Sequence, residues 1–127
     1  MDPDNYGSRE TCQRLADAGI VLETEVCWSP IFDFDMSSES GMPIPIKDWE
    51  LLHREHINAS MWALKAIPAP SMAEVWRELP NGITIRKLAG QMWVWIDTNE
   101  DSVQHNTNPT DALIDLRIWL EERKEET

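Results

Sequence analysis

The stretch ITIRKLAGQMWVWI, running from Ile83 to Ile96, decides how this chain folds. Ile83, Ile85, Val94 and Ile96 recur with a period of two on either side of Ala89-Gly90. Successive side chains of a strand point to opposite faces, so the pattern predicts two strands, Ile83–Lys87 and Met92–Asp97, joined as a hairpin. An even loop at Ala89-Gly90 pairs Arg86 with Trp93, Thr84 with Trp95, Ile85 with Val94 and Ile83 with Ile96. The aliphatic residues then form a core face, and Thr84, Arg86, Trp93 and Trp95 share the other. An odd loop instead joins the tryptophans to Ile83 and Ile85 and makes them plain core. Gly90 in the second turn position favours the even register, against the reluctance of Ala89 to adopt a positive φ.

The flanking segments read as helices. Pro68-Ala69-Pro70 is an extended lead-in, and Ser71 with Glu74 forms a capping box before the stripe Met72, Val75, Trp76 and Leu79. Pro80-Asn81-Gly82 stops that helix. Asn108 caps a last helix with Pro109 at its first position and Asp111 at its third. Ala112, Leu113, Leu116, Trp119 and Leu120 make its main stripe. Ile114 and Ile118 form a separate one that could pack on a loop or on another chain. Asp97–Asp101 reads as a polar connection between hairpin and helix.

The first half is less regular. Residues 1–7 read as a loose start, and Ser8 caps a helix over 9–18 that Gly19 ends. Ile20, Leu22, Val26 and Trp28 alternate with Glu23 and Glu25, which predicts a half-buried strand over 20–28. Phe32, Phe34 and Met36 continue a period of two as a second strand, and residues 37–47 form a long loop. Beyond Asp48, Trp49, Leu52, His56, Ile57, Met61 and Leu64 lie on one helical stripe. The competing reading is a helical turn followed by a strand over Met61–Ile67. These elements predict an α+β fold in one domain, residues 1–127. It comprises a small antiparallel sheet of three to four strands, with two to three helices packed mainly on one face. Trp28, Trp76 and Trp119 are expected in the core.

Composition narrows function. A formal charge of −12 disfavours direct nucleic-acid binding and favours basic partners. The acids are spread, 12 against 5 bases in residues 1–68 and 11 against 6 in 69–127, and form no long run. The apolar runs are too short to span a membrane, and the acidic N-terminus lacks a secretory apolar region. Cys12 and Cys27 lack CxxC spacing and read as free thiols of a cytoplasmic protein.

No catalytic, cofactor-binding or metal-binding residue stands out. His53-Arg54-Glu55-His56 matches no zincin order, and Glu50-x-x-His53 lacks the second copy that a di-iron bundle needs. Asp97, Asn99 and Asp101 occupy positions one, three and five of a calcium loop. Position six holds Ser102 instead of glycine, and position twelve holds Asn108 instead of glutamate.

Pro68-Ala69-Pro70-Ser71, Ala73-Glu74, Leu79-Pro80, Pro109, Ala112-Leu113, Leu116 and Trp119-Leu120 carry a resemblance, with Leu15, Gly19-Ile20 and Glu23-Thr24-Glu25. Together they resemble a group of small uncharacterised proteins of bacteriophages and bacterial mobile elements. The resemblance implies a compact α+β domain in the cytoplasm of a bacterial host cell and brings no catalytic residues. The expected function is that of a small acidic phage-like accessory protein, a non-enzymatic interaction module. Its candidate contact surface, for a protein partner or for self-association, is Thr84, Arg86, Trp93 and Trp95. The alternative is an acidic inhibitor or nucleic-acid mimic that blocks a host nucleic-acid-binding protein.

Overall fold

The computed structural model describes residues 2–32, 46–56 and 66–125. Among the described residues, three helices and six strands make up an α+β fold: α1 Arg9–Asp17, β1 Val26–Phe32, β2 Ile46–His53, β3 Ile67–Pro68, α2 Met72–Glu78, β4 Ile83–Leu88, β5 Gln91–Ile96, β6 Asn99–Asn106 and α3 Pro109–Glu125. The strands divide into two antiparallel sheets of three, ordered β2-β1-β3 and β4-β5-β6, where the sequence led to one sheet of three to four strands.

The local chemistry expected at the helix starts is present. The Ser8 hydroxyl accepts from the Thr11 N–H. Ser71 and Glu74 close the reciprocal capping box, each satisfying a donor of the other's backbone. Asn108 Oδ1 accepts from the N–H groups of Thr110 and Asp111 at 2.9 and 3.3 Å. Gly19, at φ +78, follows Ala18, the C-cap of α1.

Several elements differ from the sequence reading. Residues 20–24 keep a period of two in burial, with Ile20, Leu22 and Thr24 inside, yet no strand forms before Val26. The Thr24 hydroxyl instead donates to the Val26 carbonyl, and Glu25 N–H donates to the Glu74 carboxylate. Phe32 ends β1 rather than opening a second strand, and 33–45 lie outside the described residues. Ile46 and Lys47, expected in the long loop, begin β2.

The helix expected from Asp48 onward is strand β2, paired along β1 from Val26↔His53 to Phe32↔Ile46, with a helical turn at Arg54–His56. Trp49 and Leu51 fit a period of two as well as Trp49 and Leu52 fit 3.6, so ladder bonds to β1 outweigh a stripe this short. Ile57, Met61 and Leu64, and most of the competing strand reading, lie outside the described residues; its last residue, Ile67, opens β3.

Trp76, expected in the core, is 46% exposed. Helix α2 turns Val75 fully inward, and a residue one step on is rotated by about 100° around the axis. Trp28 and Trp119 are partly buried against the core, and the Trp28 indole N–H donates to the Gly7 carbonyl at 2.8 Å. Ile114 and Ile118 are buried within the chain itself.

The start of the chain is tied down rather than loose. Gly7 N–H donates to the Pro70 carbonyl, Tyr6 bridges Ser71, and Ser8 N–H donates to Asp111 Oδ1 at 2.7 Å. The Asn108 side-chain amide donates to the Tyr6 carbonyl and the Thr110 hydroxyl to the Asp4 carbonyl. A Cβ on Gly7 would meet Cys12 Sγ at 2.7 Å and also strike Ile114 Cδ1. The Cys12 and Ile114 side chains are both sealed in the core, so neither has open space to retreat into. Gly7→Ala is expected to lower stability by about 1–3 kcal/mol through overpacking, measured by urea denaturation.

Candidate interaction surface

The hairpin adopts the even register. Ile83↔Ile96, Thr84↔Trp95, Ile85↔Val94 and Arg86↔Trp93 are all paired. Ala89 and Gly90 both have positive φ, 55° and 77°, as a two-residue mirror-image turn requires. Such a turn matches the twist of its strands and fixes their pairing, while alanine at a left-handed φ costs about 1 kcal/mol. The register therefore carries some local strain.

On β6, Trp93↔His105 and Val94↔Gln104 continue the alternation across the sheet, with a bulge between Val94 and Ile96. Ser102, fully buried, fills that bulge: its hydroxyl accepts the Ile96 N–H at 2.7 Å and donates to the Asn99 carbonyl at 2.6 Å. Sequence reading treated this part of the chain as a connection, because Asn, Asp and Glu are poor strand formers. The ladder to β5 and the Ser102 hydroxyl hold it as a strand regardless.

Helix α3 packs on β5 and β6 and takes one face of the sheet, sealing Val94 completely. The opposite face collects Thr84, Arg86 and Leu88 of β4, Trp93 and Trp95 of β5, and Val103 and His105 of β6. The structure thus brings together all four residues singled out from the sequence. The two indoles and Thr84 are half-buried, and Arg86 is exposed. Leu88 at 52% and Val103 at 41% exposure extend the apolar area on both sides. Sequence reading missed both, Val103 because its strand was missed and Leu88 because the strand was ended at Lys87.

A groove of about 480 Å³ runs over this face, lined by Arg86, Leu88, Trp93, Trp95 and Val103, with Asp97 and Glu100 also on its wall. The ring stacked on Trp93 is His105, with centroids 4.4 Å apart and planes 29° apart. Arg86 flanks the same tryptophan from the other side, as its cross-strand partner on β4. His105 is fixed from behind, its Nδ1 lying 2.6 Å from Gln91 Oε1. At the other end the Thr84 hydroxyl donates to Asp97 Oδ1. The Trp93 indole nitrogen is shielded from water and has no hydrogen-bond partner among the described residues. An unmet buried donor costs about 1–3 kcal/mol.

Further depressions lie elsewhere among the described residues. Met72, Trp76, Ile85 and Leu113 line an apolar one of about 480 Å³. Glu23, Glu25, Glu74 and Glu78 line a polar one of about 540 Å³ with Arg54 and Arg77.

The histidines of the sequence motif gather no metal-holding group among the described residues. Glu50 and His53, three residues apart on a strand, point to opposite faces. His53 and His56 each approach Glu55 Oε1 at 3.7 Å and meet edge to face. Asp97–Asp101 form the turn into β6 and its first residues. Among the described residues no group of three or more His, Cys, Asp or Glu could hold a metal ion. No described helix is long and apolar enough to cross a membrane.

No protein-family model, curated protein or solved structure matches the chain.

Cys12 and Cys27 are free and buried. Burial, with the Asp111 carboxylate adding to it, pushes the Cys12 thiol up to about 12. Burial raises Cys27 too. Both thiols are protonated and unreactive in the folded chain at neutral pH. A thiol that ionises later in the folded than in the unfolded chain supports folding fully below its unfolded value, near 9, and loses that support as pH rises toward 12. Between pH 9 and 11 the natural chain is therefore expected to lose stability more steeply than Cys12→Ala, measured by urea denaturation at each pH.

Proposed function

We propose that the protein is a small acidic accessory protein that works by binding rather than by catalysis, with Thr84, Arg86, Trp93 and Trp95 at the centre of its contact surface. The observation that carries this reading is the asymmetry of the second sheet. Helix α3 covers one face over β5 and β6, leaving Ile85 of β4 39% exposed at its margin, while the face bearing two tryptophans, Leu88 and Val103 stays open among the described residues. Contiguous apolar area of this kind on a chain of charge −12 fits a binding role better than a solvated one. Tryptophan and arginine are the residues that most often anchor interfaces. The resemblance to small phage proteins supports a setting in the cytoplasm of a bacterial host cell.

A nucleic-acid mimic draws less support. The most acidic depression interleaves Arg54 and Arg77 among its four glutamates, unlike a phosphate array.

The Trp93→Ala/Trp95→Ala double variant keeps Val94 and the core face, so it is expected to fold. It should lose association by about 30-fold or more, as for truncation of anchor residues. Circular dichroism checks the fold, and sedimentation with affinity capture compares size and partners. A folded variant that keeps both its size and its partners would remove this reading.

A further inference from the structure

Charge is unevenly distributed along the open face. Arg86 and His105 lie level with Trp93, toward the Ala89-Gly90 turn. Asp97, Glu100 and Asp101 lie at the opposite end, around the turn into β6. Between them lie Trp95 and Val103, and Leu88 adds apolar surface beyond Arg86 toward the turn. Four residues of strand separate Arg86 from the acidic end, roughly 13 Å.

We propose that the occupant of this face is a second copy of the same chain, docked face to face about a twofold axis through the Trp93–Trp95 region. The proposal rests on the contact-surface reading above and names its partner. A twofold axis across the strands reverses their direction, so the Arg86 end of one protomer lies over the Asp97–Glu100 end of its partner, and the reverse contact forms at once. Such an interface is complementary to itself, as twofold dimers require. Two chains of charge −12 repel almost everywhere else, so charge complementarity confines close approach to a surface that carries both signs in separate places. The depression lined by Glu23, Glu25, Glu74 and Glu78 lacks that separation, because its arginines sit among the glutamates.

The size of the face sets the strength. Three strands about 4.8 Å apart and six residues long give a footprint of roughly 15 by 20 Å. That is well under the ~800 Å² per partner of a standard stable interface. The dimer is therefore a weak one, forming and dissociating in the micromolar range.

Sedimentation velocity from about 10 to 500 µM tests this, with circular dichroism confirming the fold of each variant. The natural chain is expected to pass from monomer to dimer across that range and to shift toward monomer at high salt. Arg86→Glu alone and Glu100→Arg alone should each weaken the dimer about 10-fold or more, since each change strikes two symmetry-related contacts. The double variant Arg86→Glu/Glu100→Arg restores opposite charge at both ends and should return to within about 3-fold of the natural chain. A natural chain that stays monomeric throughout, single reversals without effect, or a double variant no better than the singles each overturns the second-copy proposal. None of these outcomes touches the broader contact-surface reading. That reading falls separately, if removing both indoles changes neither size nor partners.

Discussion

The arrangement of the whole molecule depends on how residues 4–8 grip the amino end of α3. Asp111, buried to 4% exposure, accepts the Ser8 N–H, while Asn108 and Thr110 reach the Tyr6 and Asp4 carbonyls. A carboxylate in the first turn of a helix also complements the partial positive charge of that end. The same few residues hold the Trp28 indole of β1 through the Gly7 carbonyl and the entry to α2 through Pro70 and Ser71. One short segment thus fastens the first sheet, α2 and α3 to each other. Gly7 can occupy the centre because it has no side chain to displace Cys12 or Ile114.

Once α3 is fixed, the second sheet has a covered face and an open one, and the turn at Ala89-Gly90 decides which residues go where. A shift of one residue in the hairpin would move Val94 outward and both tryptophans inward. Val94 and Ser102, both sealed beneath α3, show how firmly the observed choice is held. The open face is therefore the other half of a well-packed core arrangement. Val94 and Ile96 of the opposite parity face α3, while Ile85 at the margin stays 39% exposed beside Trp76.

Where a residue's neighbours in sequence determine its structure, that structure was legible in the sequence. The caps at Ser8, Ser71 and Asn108, the Ala89-Gly90 turn and the shared sheet face of Thr84, Arg86, Trp93 and Trp95 all belong to this class. Strand β2 was not legible, since Trp49, Leu51 and Leu52 suit either period and only pairing with β1 chooses between them. Strand β6 was hidden by polar residues that owe their conformation to β5 and to the Ser102 hydroxyl. Trp76 sits on the stripe of α2 that its spacing predicts, but the core beneath that helix ends at Val75, and spacing alone carries no information on how wide a core is. His105 over Trp93 belongs to the same class, a contact made by strand pairing between distant residues.

The grip of residues 4–8 on α3 also governs when the fold can be completed. Ser8 and Asp111 are 103 residues apart, and Thr110 and Asp4 are 106 apart. A growing chain emerges amino end first, at about 5–20 residues per second, so the first segment waits roughly 5–20 s for its partner helix to be made. Until α3 arrives, neither sheet has its full cover, and contacts this distant in sequence slow folding further. Cys12, buried in the finished protein close to Ile114, lacks that part of its cover until then. The burial that holds this thiol out of reach is thus complete only once the last helix has docked.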